Sequence, residues 1–460
     1  MLTIESISPK LLKAEYAVRG RITIRAQELE RQGRKITYCN IGNPHTFNQK
    51  PLSYVREVLS LLEFPQLLEK DLGDLFHSDS ISRAKHILKQ MPEGLGAYSE
   101  SSGVSFVREA VAKFINNRDG ISSNPDRIIL TDGASKAAQT VLTAIIKNDK
   151  DGIMLPIPQY PMYSATMTLL GGHSIGYYLD EENHWQLNEH ALHTSYANAV
   201  KQGINPLAIT VINPGNPTGA VLSYENIKMI IYFARKHNLA ILADEVYQEN
   251  IYSKSSSFHS FAKVMDDMKI KDVSLFSFHS MSKGFYGECG HRSGYLEVRN
   301  VSDEMFAQLV KLQSINLCAN LVGQMATYLM VTPPHPGDAS YELYIHERTS
   351  ILNDLKEKSL IIGEALNKID GIKVNIPEGA MYAFVNITLP EYRLNTADIA
   401  PDEAYCLALL EKTGICVVPG SGFGQHPGTL HFRTTFLPPK EAILELVQQL
   451  ENFHREYTSN

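Results

Sequence analysis

The sequence predicts an α/β fold, with a mostly parallel sheet covered by helices on both faces and a smaller α+β segment after it. Three observations predict it. From about Arg127 to Val298, short apolar runs alternate with stretches of helical periodicity. Four of these runs end in polar or glycine-rich clusters, the pattern of strand ends that face a ligand in open α/β sheets. Two breaker clusters, Pro92–Gly96 and Thr332–Gly337, bound the region.

Taken in order, the N-terminal stretch to about Met91 reads as an arm with helices over Ala14–Arg31 and Leu52–Leu62. Val104, Val107, Ala110, Val111, Phe114 and Ile115 recur at helical spacing. Strands are expected at Arg127–Leu130, Gly152–Pro156, Ala208–Ile212, Leu239–Ala243 and Val273–Phe278, with helices over Ser135–Lys147 and Asn226–His237. A single long helix is expected over Asp303–Met330. Beyond the second breaker the pattern gives a helix over Tyr341–Ile369, then strands at Ile372–Asn375 and Tyr382–Ile387. A helix near Asp402–Lys412, strands at Ile415–Val418 and Leu430–Thr434, and a final helix from Lys440 follow. The expected division is residues 1–91 as an N-terminal arm and part of a small domain, 92–335 as a large ligand-binding domain, and 336–460 as the C-terminal small domain.

Composition narrows the function. The 460 residues are 43% apolar, enough for a sizeable core, and the formal charge of -7 gives no reason to expect nucleic acid or anionic lipid as a partner. No apolar stretch approaches a membrane span. The first twenty residues mix Glu5, Lys10, Lys13, Glu15 and Arg19 without an apolar core, against a secretory signal or a transit peptide. Five scattered cysteines fit reduced thiols in the cytoplasm, and His346-Glu347 is not continued as a zinc motif, so no metal is expected.

The chemistry concentrates at the strand ends. Ser280-Met281-Ser282-Lys283 closes an apolar run, and a lysine in an apolar cleft is driven toward its neutral, nucleophilic form. Nine residues on, Arg292 can hold an anion. Lysine, hydroxyl and arginine together suit an aldehyde that carries a phosphate, which describes pyridoxal phosphate. Asp244, at the end of Leu239–Ala243, reads either as a cap or structural ion pair, or as the partner of a protonated pyridine nitrogen. In the second case an ion pair at 4 Å is worth about 4 kcal/mol, enough to keep the ring cationic and electron-withdrawing. Gly133-Ala134-Ser135 opens a helix and can form an anion site, with Ser135 capping it, facing a phosphate, or both. Asn213–Gly219 is a rigid turn that can aim Asn216 at a ring oxygen, and Tyr247 can donate to the same oxygen. Tyr160 can stack on a ring or pack in the core. Arg433 is either a surface residue or a bidentate grip for a carboxylate. Gly420–Gly424 reads as a mobile loop near the substrate rather than a nucleotide fingerprint.

With these residues in view, the chain resembles fold-type I pyridoxal-phosphate enzymes, and within them the alanine branch of the class I aminotransferases. The resemblance runs through Glu15–Gly20, Ile157–Pro161, Val211–Gly219, Ala243–Gln248, Phe278–Gly290 and Gly414–Gln425. It implies a sheet of the seven-stranded type. It implies Lys283, Asp244 and Tyr160 as catalytic residues, with Lys283 forming a Schiff base to pyridoxal 5'-phosphate. Asp244 would pair with the pyridinium, Tyr247 and Asn216 would bind the ring oxygen, and Tyr160 would stack. Ala134, Ser135, Ser280 and Arg292 would hold the phosphate, with Lys136 among the cofactor-binding residues. Tyr98 would reach the phosphate of a neighbouring subunit in a homodimer with shared active sites. Arg433, Asn216 and the backbone of Gly42 would bind the substrate carboxylate. The implied reaction moves an amino group from L-alanine to 2-oxoglutarate by a ping-pong mechanism, with small amino acids and 2-oxo acids as partners. Glutamate–glyoxylate exchange, and carbon–sulfur lyase or aminocyclopropane-carboxylate-synthase-like chemistry, stand as alternatives on the same cofactor.

Overall fold

A computed structural model describes residues 2–396 and 398–459. After a short strand β1 (Thr37–Tyr38), the chain lays down β2 (Ile128–Thr131), β3 (Asp151–Ile157), β4 (His173–Asp180), β5 (Gln186–Leu187), β6 (Asn205–Ile212), β7 (Ala240–Asp244), β8 (Leu275–Ser280) and β9 (Gly294–Arg299). These last eight form one sheet in the order β2-β9-β8-β7-β6-β3-β4-β5. The central pairs β8·β7, β7·β6, β6·β3 and β3·β4 are parallel. The pairs β2·β9, β8·β9 and β4·β5 are antiparallel.

Continuous apolar runs build the centre because both sheet faces are covered. In β7, Ile241 and Ala243 face a core that includes Ile230 and Phe233 of the helix Tyr224–Lys236. Leu242 faces the opposite core with Ala137 and Val141 of the helix Ala134–Ile145. Each such Ile, Leu, Val or Phe side chain contributes about 1.5–3 kcal/mol by leaving water.

The second sheet is antiparallel, in the order β10 (Ile372–Lys373), β11 (Tyr382–Ile387), β14 (His431–Thr435), β13 (Val418–Pro419). Strand β12 (Ile415–Cys416) pairs in parallel with β1. The helices Tyr341–Leu366 and Lys440–Thr458 cover this part, and Ile22, Ala26 and Leu29 of the helix Arg21–Arg31 share its core. Residues 52–62 pack instead with Val107, Val111 and Met325 beside the large sheet. The two sheets meet along a backbone seam, where Gly379 N donates to Gly219 O (2.8 Å) and Ala380 N donates to Asn250 O (3.2 Å).

Several expectations need correction. The sheet has eight strands because a two-residue strand, β5, is added at one edge. Strand β4 is an addition to the expected set; it lies next to the edge strand β5, is largely exposed and carries a weak apolar signal. The stretch 303–330 is two helices, Asp303–Ile315 and Leu321–Val331. Leu317 at φ 68° and Asn320, whose side chain accepts from Gly323 N, end one helix and start the next. Apolar periodicity continues across that break and hides it. The N-terminal helix begins at Arg21 rather than Ala14, because a 3-10 turn at Ala17–Arg19 and Gly20 precede it. Ile415–Val418 belongs to two sheets, not one strand.

The β8·β9 pair delivers the segment leading to Lys283, with Ser280 opposite Gly294. A Cβ at Gly294 would run into the His279 carbonyl of the neighbouring strand. We therefore expect Gly294→Ala to destabilise the protein by about 1–3 kcal/mol, read as a lower urea midpoint.

Candidate active site

The chain's direction through the sheet reverses between β3 and β6. A crevice opens there, outside the carboxyl ends of the parallel strands. It holds a cavity of about 420 Å³. Of the residues singled out from the sequence, Gly42, Ala134, Ser135, Tyr160, Asn216, Asp244, Tyr247, Ser280, Lys283, Arg292 and Arg433 line it. Lys136 and Tyr98 are not among the lining residues, and Tyr98 is 78% exposed.

Asp244 ends β7 and is buried. Tyr163 donates to its Oδ2 at 2.7 Å, while Oδ1 is buried without a hydrogen-bond partner. Burial pushes its carboxyl up to about 6, against the pull of the Tyr163 hydroxyl, the nearby Val246 backbone N–H and Lys283. Asp244 forms no ion pair among the described residues, which sets aside the structural ion-pair reading. An orphan carboxylate oxygen in a cavity is a seat for a cationic N–H.

Arg433 lies on β14 opposite Phe384 and is 1% exposed. Its guanidinium donates to Asn216 Oδ1 (3.0 Å) and to the Asn40 carbonyl, and lies over the rings of Tyr382 (4.1 Å) and Phe423 (4.7 Å). Every one of these partners is neutral, its Nε has no partner, and it forms no ion pair among the described residues. A buried cation in that state is costly unless an anion arrives. Because Arg433 takes the Asn216 carbonyl, the amide NH2 of Asn216 is left as a donor.

A second anion seat lies at the other end. Gly133, at φ 87°, is the N-cap of the helix Ala134–Ile145, and a Cβ there would sit 2.6 Å from Arg292 Nη2. Ser135 therefore lies inside the first turn and does not cap the helix. Arg292 is itself held at φ 49° and donates to the carbonyls of Cys289 (3.0 Å) and Asp132 (3.2 Å) and to Ser282 Oγ (3.3 Å). Free helix amides, serine hydroxyls and an arginine bonded only to neutral oxygens suit a phosphate. Together with the orphan Asp244 oxygen, these residues fit pyridoxal phosphate.

Lys283 Nζ donates to the Gly42 carbonyl at 2.6 Å. Burial pushes this amine toward its neutral form, as expected from the sequence. Tyr382 and Cys289 outweigh burial, and the net direction is up, so the resting amine is charged. Gly420–Phe423 is a 3-10 turn with Gly420 and Phe423 buried. It is tied down by Ser421 N donating to Asp402 Oδ2 and by Gln159 N donating to the Phe423 carbonyl, which corrects the expectation of a mobile loop.

Four residues of the site escaped sequence reasoning. Tyr163 sits inside a helix and Tyr382 starts a strand of the second sheet, with nothing local to mark either. Tyr16 and Arg19 lie in the Glu15–Gly20 stretch, where nothing local marks either for a role. Both line the cavity. The hydroxyls of Tyr16 and Tyr160 share a hydrogen bond (2.8 Å), and the rings meet edge to face. Arg19 forms no ion pair among the described residues.

The sequence model of the family described as "Aminotransferase class I and II" matches residues 73–450. A "Probable alanine aminotransferase, mitochondrial" from Dictyostelium discoideum is 48% identical, aligned over 99% of this chain and 89% of its own length. "Glutamate--glyoxylate aminotransferase 2" of Arabidopsis thaliana is 46% identical over 100% of this chain and 97% of its own. Among solved structures, the alanine aminotransferase of Pyrococcus furiosus superposes with a TM-score of 0.79 at 27% identity, covering 98% of this chain and 100% of that one.

The raised Asp244 carboxyl has a stability consequence. Its folded value of about 6 exceeds the ordinary 3.8, so the folded state holds its proton longer than the unfolded chain. This group's contribution to stability is therefore lost as pH rises from about 4 to 6, by about 3 kcal/mol in all. For cofactor-free protein, we expect Asp244→Asn to flatten the urea-midpoint profile in that window.

Proposed function

The chain belongs to the class I and II aminotransferases, and from that premise we propose that it moves the amino group of L-alanine to 2-oxoglutarate, giving pyruvate and glutamate. The observation that carries this reading is the pair of buried, uncompensated charges facing one cavity, Arg433 for a substrate carboxylate and Asp244 for a ring cation. When bound, pyridoxal phosphate supplies an aldehyde that captures amines and a protonated ring that accepts the electron pair of the substrate α-carbon.

The chain's own residues do the rest. Lys283 Nζ would hold the cofactor and would serve as the general base for the α-proton. Asp244, steadied by Tyr163, holds the proton on the ring nitrogen. Tyr247 and the Asn216 NH2 group bind the ring oxygen. Tyr160, its hydroxyl tethered to Tyr16, would support the ring. Ala134, Ser135, Ser280 and Arg292 hold the phosphate, and Arg433 with Gly42 fixes the α-carboxylate. Arg19 is the remaining cation at the cavity and suits the distal carboxylate of glutamate or 2-oxoglutarate, which alanine lacks. The similarity to the Arabidopsis glutamate--glyoxylate relative favours glyoxylate as a second acceptor to be tested.

The proposed assembly is a homodimer with shared sites, in which the exposed Tyr98 reaches the partner's phosphate. Residues 92–335 would form the cofactor domain and 336–460, with part of 1–91, the domain that closes on the substrate. Among the described residues, no helix is long and apolar enough to cross a membrane. Five free thiols support a cytoplasmic setting. The D. discoideum relative bears "mitochondrial" in its name, and cell fractionation decides between the two compartments.

Lys283→Ala is expected to abolish transamination, and normal turnover would refute the assignment. Asp244→Asn should lower kcat by about 100-fold or more with cofactor still bound. Arg19→Met should raise KM for glutamate and 2-oxoglutarate by about tenfold while leaving KM for alanine unchanged, in initial-rate assays with varied donors and acceptors.

A further inference from the structure

Tyr382 has no role in the scheme above, yet it packs against Arg433, Tyr247 and Gly42 at the cavity. It is the first residue of β11 and is 3% exposed. The Arg433 guanidinium covers its ring, and its hydroxyl lies 3.4 Å from that of Tyr247. The same hydroxyl fills the space that a Cβ at Gly42 would need. Any larger residue at 42 would push the Tyr382 hydroxyl aside. The Gly42 carbonyl is also the acceptor of the Lys283 amine, so one phenol fixes both the backbone that holds the lysine and a polar atom facing it.

We propose that Tyr382 is a positioning residue for Lys283: its hydroxyl, seated against Gly42, keeps the Lys283 ammonium on the Gly42 carbonyl and retains its proton. The proposal rests on the reading of Lys283 as the reactive amine. The titratable and charged groups that line the cavity with that amine are Asp244 at the end of β7, Tyr247 just after it, Tyr382 on β11, Arg433 on β14, Cys289 in the following turn, and Tyr16, Arg19, Tyr160 and Arg292. Burial opposes the charge most strongly and Arg433 repels it. Tyr382 heads the influences that favour it. The effect is reciprocal. Burial alone would raise the Tyr382 phenol, but Lys283 and Arg433 together draw it below its ordinary value. Only the neutral amine attacks an aldehyde, so the phenol sets the pH above which Lys283 becomes a nucleophile.

Competitive labelling of cofactor-free protein with acetic anhydride across pH, read by mass spectrometry on the Lys283 peptide, gives that pH directly. Tyr382→Phe is expected to move the midpoint down by about one pH unit or more relative to the wild type. A purely structural role would scale the labelling at every pH without moving the midpoint, and an unmoved midpoint overturns the proposal. Gly42→Ala displaces the hydroxyl but keeps the phenol, and is expected to shift the midpoint in the same direction. It replaces Tyr382→Phe should that variant not fold, and an unmoved midpoint in it is equally decisive. The premise is checked separately by supplying pyridoxal phosphate to the wild type and reducing with borohydride. A tag on another lysine removes the Lys283 reading, whereas a tag on Lys283 with an unmoved midpoint removes only the role of Tyr382.

Discussion

Charge without a counter-ion is the constraint around which this protein is arranged. Asp244, Arg433, Lys283 and Arg292 line one cavity, and none is neutralised by an opposite charge among the described residues. For the two that are fully buried, Asp244 and Arg433, the cost of lacking a partner is roughly several kcal/mol. A loosely packed site would relieve that cost by letting Arg433 fold onto Asp244. Here the two residues sit in different sheets, on β14 and at the end of β7, and the packing of both sheets keeps them in place. The electrostatic stabilisation that they forgo internally is available to a ligand that brings a carboxylate, a cationic ring and a phosphate.

Neutral groups make this state tolerable. Tyr163 supports one oxygen of Asp244, while Asn216, a backbone carbonyl and two aromatic faces support Arg433. Arg292 leans on carbonyls and a serine. Each support orients a charge without cancelling it. Two glycines do comparable work with empty space. Gly133 leaves room for the Arg292 guanidinium, and Gly42 leaves room for the Tyr382 hydroxyl. The site is thus held open by close packing as much as by hydrogen bonds.

Much of this was legible in the sequence because strand ends advertise themselves. An apolar run that stops at Asp244, at Asn213–Gly219 or at Ser280–Lys283 carries its own boundary, and all three converge as the α/β pattern requires. Elements set by distant contacts were not legible. Asn320 breaks a helix while hydrogen-bonded to Asp132, and neither residue alone signals the other. Gly420–Phe423 has the composition of a mobile loop and is pinned by Asp402. Tyr163 and Tyr382 look like ordinary core tyrosines, and their importance is purely one of location.

The chain's local chemistry by itself determined the α/β class, the order of the parallel strands' polar ends, and the lysine, aspartate and arginines that a phosphorylated aldehyde and a carboxylate require. Those properties follow from periodicity and side-chain type, which are written residue by residue. The tertiary structure alone decided which charges stay unpaired, that the resting lysine keeps its proton despite burial, and that a tyrosine from the second sheet stands beside it. Proton affinity depends on the distance to neighbours far away in the chain, and only the packed fold sets those distances.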